Sequence, residues 1–176
     1  NYGSSSEARR SIRIGSRCWL ASFVSIADRG RHGTAPVPVG DDVPSVYAAL
    51  RAGAGPVIEL PLYPDPARKL WAAYPYFSTY HWRPLPIGRT SFYPPAHDLL
   101  AWSLRDFPDE RSLTLLDRLG IRTIVVHPRV WTADERRVRM AAIEAEPRLS
   151  LTQAFDDTVS ARFAAPGLGD ERLYRL

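Results

Sequence analysis

The sequence predicts an α/β fold, a single small domain with a mixed sheet flanked by helices and a long aromatic, proline-rich loop. Two short runs read as strands: VIELPL at 57–62, almost all apolar as in a strand covered on both faces, and IRTIVVH at 121–127, β-branched and bounded by Gly120 and Pro128. Amphipathic segments lie between and after them, and such strand–helix alternation builds an α/β sheet. The C-terminal stretch then breaks into short runs at 149–155, 159–163 and 172–176. These read as closing strands with antiparallel edges.

Each element has a local cause. Residues 1–40 are expected to form a poorly ordered N-terminal segment and linker: 1–17 are rich in Ser, Gly and Arg, and 28–40 carry Gly and alternating Pro. The apolar-leaning stretch 18–27 is too short for a membrane span, which needs about 20 apolar residues. The first residue, Asn1, is not methionine, and a segment upstream is expected. The folded α/β domain is expected over 41–176. Asp42 can cap a helix to about 52 whose apolar face carries Val43, Val46, Tyr47 and Leu50, ended by Gly53 and Gly55. After the first strand, Pro66 opens a helical turn through 71. Helices are expected over 96–106 and 109–119, with Gly120 stopping the second in a left-handed conformation. Thr132 and Glu135 form a capping box for a helix to about 146, closed by Pro147.

Composition narrows the function. With 176 residues, 45% hydrophobic and 24% charged, the chain fits one ordinary globular domain with a real core. Cys18 is the only cysteine, which excludes an internal disulfide and a cysteine zinc cluster. The net charge is +4, and 22 of the 23 basic residues are arginine. They are scattered among 19 acidic residues without a run of five like charges, a distribution that argues against a nucleic-acid partner.

No nucleotide-binding, metalloprotease or nucleophile-elbow motif is present. The four histidines (32, 81, 97 and 127) lack ligand spacing, so neither a metal nor a cofactor is expected. The unusual segment is 74–97, in which seven positions are Phe, Tyr or Trp. Tyr80, His81, Trp82 and Arg83 stand together there, and Gly88 supplies a turn. Aromatic rings beside Arg and His suit stacking on sugar faces and clamping a phosphate or carboxylate. The same rings can equally pack over the sheet edge. Glu59 lies inside an apolar strand, where an unpaired carboxylate is costly, so it needs a partner. His81 or Arg83 is the expected one, and such a pair is either a structural brace, the favoured reading, or a pH-sensitive site. His127 ends its strand, the place where open α/β sheets bind ligands, although a single His there is also an ordinary rim residue. Asp41-Asp42 and Asp156-Asp157 read as caps and turns. No catalytic residue can be argued from spacing.

The runs DVPSVYAAL, VIELPL, YFSTYHWRPLPIGRTSFYPP and LGIRTIVVHP carry a resemblance. From about residue 28 to the closing RLYRL, the chain resembles the C-terminal extracytoplasmic domain of bacterial multi-spanning membrane proteins. These are similar to the GT-C superfamily of glycosyltransferases, relatives of the dolichyl-phosphate-mannose mannosyltransferases. The resemblance implies a cell-membrane protein whose last span ends at about residues 20–27, so that 18–27 is the remnant of that helix end, with this domain on the extracytoplasmic side. It implies a polyprenyl-phosphate-linked sugar as donor and an envelope acceptor or glycan as partner, beside the parent's own membrane-spanning part. The catalytic acid of that superfamily lies in an early loop between spans, so no catalytic residue carries over. The domain is then an accessory that positions acceptor or donor. The alternative is a non-catalytic binding domain of a cell-envelope membrane protein.

Overall fold

The computed structural model describes residues 38–62, 73–88, 95–157 and 167–176. Contacts divide the chain into Asn1–Thr34 and Ala35–Leu176, and every described residue belongs to the second unit. The expected linker up to residue 37, the helical turn at 66–71 and the strand at 159–163 lie outside the described residues.

Helices and a four-stranded mixed sheet form the domain. A 3-10 turn at Gly40–Asp42 leads into helix α1 (Ser45–Leu50). Asp42 belongs to that turn and is not the helix cap as expected, because Pro44 takes the N-cap position and has no side-chain hydroxyl or carboxylate. Asp157, 112 residues away, supplies the missing acceptor: its carboxylate takes the Ser45 amide at 2.8 Å and the Ser45 hydroxyl at 2.5 Å. Strand β1 (Val57–Leu60) is fully buried. The expected loop at 74–95 is partly helical: α2 (Tyr74–Phe77) runs into a 3-10 turn at Ser78–Tyr80, so these aromatics pack as one helical face.

Helices α3 (Pro95–Ser103) and α4 (Glu110–Arg118) follow, the second capped by Asp109 through the Ser112 amide. Gly120 adopts φ 67°, the left-handed stop its sequence context called for. Strand β2 (Thr123–Val126) is buried throughout. Helix α5 (Ala133–Ala145) begins with the complete Thr132–Glu135 capping box. Strands β3 (Ser150–Asp156) and β4 (Asp170–Arg175) close the sheet.

The strand order is β1-β2-β4-β3, with β1 parallel to β2 and β4 antiparallel to both its neighbours. Side chains alternate between faces along each strand. One face therefore carries Val57 and Glu59, Thr123 and Val125, and Glu171, Leu173 and Arg175. The opposite face carries Ile58, Leu60, Ile124, Val126 and Tyr174. Tyr47 of α1 and the 74–83 segment cover the first face; on the second, Glu144 of α5 lies close enough to Tyr174 to raise its hydroxyl's pKa, though less than burial does. Leu50, Leu113, Leu116, Ile121, Ile124 and Ile143 are all at most 1% exposed, so the core is continuous through both layers. Among the described residues no helix is long and apolar enough to cross a membrane.

Candidate functional site

Two polar constellations occupy opposite ends of the same sheet face. The first is built on Glu59. Parallel pairing sets Glu59 beside Val125, so His127, two residues beyond Val125, projects from the same face. Antiparallel pairing of Val126 with Arg172 brings Glu171 alongside His127. The imidazole sits between the two carboxylates, with Nε2 3.0 Å from Glu59 Oε2 and Nδ1 3.5 Å from Glu171 Oε1. Tyr47 donates its hydroxyl to the same Glu59 oxygen at 2.8 Å. The Gly169 amide donates to Glu171 Oε1 at 2.7 Å. The Tyr74 ring stacks on His127 at 5.1 Å.

Glu59, His127 and Glu171 are each 0% exposed, which decides their chemistry. Burial alone pushes the imidazole down, but the carboxylates of Glu171 and Glu59 outweigh it and hold its pKa up at about 9. The ring is accordingly an imidazolium at neutral pH, held between two buried acidic side chains. Tyr47 is held well above its ordinary value, by burial first and then by the Glu59 charge. No group of this cluster reaches solvent, so it is a charged brace. Glu59 has the partner its burial demands, but the partner is His127 with Tyr47, not His81 or Arg83. The reason is position along the strand: Glu59 lies two residues, roughly 7 Å, beyond the end where Arg83 is anchored.

The second constellation holds His81 and Arg83. The His81 ring stacks parallel to Tyr47 at 6.3 Å, and its Nδ1 accepts the Arg83 amide at 3.0 Å. An acceptor nitrogen must be unprotonated, and burial, followed by the Arg83 charge, lowers the imidazole to about 4. Arg83 is 8% exposed. Its Nε donates to Gly55 O at 2.9 Å, and its Nη2 donates to Ala54 O at 2.7 Å and Thr123 Oγ1 at 2.8 Å. The guanidinium thus ties the 74–88 segment to the start of β1 and β2, together with the Val57 amide bonded to Pro84 O at 2.9 Å.

Trp82, between these two anchored residues, points the other way. It is 83% exposed and has φ 56°, in the left-handed region. Its amide, like that of His81, bonds to Ser78 O, which places Trp82 where helix ends usually put glycine. Tyr80 is half-buried, with its hydroxyl 3.2 Å from that of Tyr76 and its carbonyl accepting Arg51 Nε at 2.8 Å. Gly88 is exposed, and a Cβ added there would meet nothing within 4 Å. The structure therefore gathers Glu59 and His127 at one end and His81, Trp82 and Arg83 at the other, with Tyr80 nearby and Gly88 apart.

Sequence reasoning missed Tyr47, Tyr74 and Glu171. Glu171 left one usable signal: in DERLYR it alternates with Leu173, so it belongs to an inward face. Among the described residues no group of three His, Cys, Asp or Glu side chains is arranged to hold a metal ion. Comparison with protein-family models, with curated proteins and with solved structures finds no match.

Proposed function

We propose that this chain is a non-catalytic accessory domain of a membrane glycosyltransferase-like protein, on the extracytoplasmic side of the cell envelope. In this reading the 74–88 segment positions a sugar-bearing acceptor or donor. Trp82 carries the proposal. A left-handed backbone costs a non-glycine residue about 1–2 kcal/mol, and an indole in solvent returns nothing to folding. The neighbours that enforce this geometry, His81 and Arg83, are buried and hydrogen-bonded. An exposed ring carried on a backbone fixed by its neighbours is a stacking platform for the apolar face of a sugar. The sealed Glu59–His127–Glu171 cluster agrees with a role in binding, since its one cation is committed to structure. The order and content of the 74–97 motif supply the glycosyltransferase part of the proposal.

The test is a titration of the chain with neutral oligosaccharide fragments of envelope glycan, read by tryptophan fluorescence. Quenching that disappears in Trp82→Gly, with the melting curve kept, supports the reading. Fragments that bind Trp82→Gly as well as the parent chain sink it. Incubated alone with a polyprenyl-phosphate-linked sugar and acceptor, the chain is expected to show no transfer.

Leu99 and Trp102, three positions apart on α3 and 68% and 58% exposed, favour one second reading, a partner-binding domain of an envelope membrane protein. Under it, Leu99→Ser with Trp102→Ser abolishes association with the membrane-spanning part, and Trp82→Gly does not.

A further inference from the structure

The end of the sheet opposite the Glu59 cluster gathers cations without anions. The strand registers align Val57, Thr123, Arg175 and Ser150 in one row across β1, β2, β4 and β3. Arg83 reaches into this row through its bond to Thr123 Oγ1. Although more than nine-tenths buried, it pairs with no carboxylate among the described residues; two carbonyls and one hydroxyl are its side-chain partners. Neutral oxygens satisfy three of its five side-chain donors and leave its charge uncompensated, a costly state for a buried ion.

Nη1 makes none of those bonds. It lies at the wall formed by Gly53, where an added Cβ would stand 2.6 Å from it. A cleft of about 460 Å³ opens there, lined by Gly53, Arg83, Thr123, Ser150, Thr152 and Arg175 among others, with no Asp or Glu in its walls. Arg175 is exposed and, after burial, is the second cause that pushes the Arg83 guanidinium below its usual value. Two like charges thus face one concavity. The Thr123 hydroxyl accepts from Arg83 and keeps its own proton to donate, and among the described residues the Ser150 hydroxyl is held by one 3.2 Å bond to Arg175 O. Thr152 is the extra residue of a bulge between Leu151 and Gln153, which turns it out of the ladder.

We propose that this cleft binds a phosphoryl group, a phosphate monoester or diester, between Arg83 Nη1 and the Arg175 guanidinium, with the Thr123 and Thr152 hydroxyls as further donors. Donors converge from β2, β3, β4 and the 83–88 strand-flanking segment, so they suit a tetrahedral group, best a monoester with its three free oxygens, better than a planar carboxylate. The volume exceeds that of phosphate alone and leaves room for the group esterified to it. The inference goes beyond the Trp82 reading: Arg83 supports Trp82 through its backbone and buried bonds, whereas the ligand here meets its Nη1 and Arg175. Its ligand is anionic, whereas the Trp82 test uses neutral oligosaccharides, so each can fail alone.

The experiment is an amide-shift NMR titration of the chain with inorganic phosphate, a hexose 1-phosphate and vesicles containing phosphatidic acid. Shifts at Gly53, Thr123 and Arg175 with a Kd of about 1 mM or tighter are expected. Arg175→Ala should weaken binding about tenfold, as loss of a charge-assisted contact does, while melting like the parent chain. Gly53→Ala, whose methyl displaces Nη1, should also weaken it. Binding of the soluble anions identifies a free phosphate ester as the source. Arg175-dependent binding of vesicles alone identifies a lipid headgroup, and supports the same chemistry. If none of the three probes binds, or binding is the same in Arg175→Ala, the proposal is overturned.

Discussion

Raising the pH through the alkaline range should discharge His127 and weaken the fold by an amount the structure sets. The imidazole is held at about 9 in the folded chain against an ordinary 6.5. That difference is worth roughly 3 kcal/mol in favour of the folded state. The sign follows from proton uptake. Below pH about 6.5 both folded and unfolded chains carry the proton, and the full contribution is present. Between about 6.5 and 9 the unfolded chain releases it first, so stability declines with rising pH; above about 9 the contribution is gone. The assay is urea denaturation at pH steps from 6 to 9.5, with the midpoint and slope fitted at each step. A loss of about 3 kcal/mol of a typical total of 5–15 moves the midpoint visibly. His127→Gln removes the titrating group and leaves two buried carboxylates without their cation. It should cost about 3–5 kcal/mol at neutral pH and flatten the decline across this window. A parent chain whose stability is level from pH 6.5 to 9, or a His127→Gln variant that keeps the slope, would refute the charged-brace account.

Four further outcomes are expected. On the acid side His81 acts with opposite sign: its pKa is lowered to about 4, so its contribution is present above about 6.5 and lost as pH falls toward 4. His81→Phe should therefore melt with a shallower acid limb than the parent chain in calorimetry. Tyr47→Phe removes the hydroxyl that Glu59 accepts, and should cost about 1–3 kcal/mol in urea denaturation. Trp82→Gly relieves the left-handed strain at an exposed position, so its midpoint should match or exceed the parent's while glycan binding is lost. Thr132→Ala breaks both halves of the α5 capping box and should cost about 0.5–2 kcal/mol by the same method.

The sequence made the elements legible where local chemistry is self-sufficient. The capping box at Thr132 and Glu135, the stop at Gly120 and the two apolar strands need nothing from afar. Helix α1 shows the opposite case, because its N-terminal acceptor is Asp157, beyond the reach of any local pattern. The cost of burying Glu59 was legible from its apolar neighbours, but its partner was not. Both parallel strands are buried on both faces, so neither shows by its own periodicity which residues share a side. Only the pairing of Glu59 with Val125 reveals that His127 lies on the Glu59 face. Likewise Trp82 reads as one aromatic among seven until its backbone conformation and exposure set it apart.

The position of β4 within the sheet has a consequence for the order of assembly. β3 touches the rest of the sheet only through β4, and β4 also covers one edge of β2. Until residues 170–175 are in place, that edge of Thr123–Val126 offers unpaired amides and carbonyls on a run of β-branched side chains, a template for pairing with a second chain. Docking β4 closes that edge and recruits β3, and in the same movement carries Glu171 onto His127. A chain stopped before residue 170 keeps the aggregation-prone edge and loses Glu171, one of the two acidic partners of its buried imidazolium.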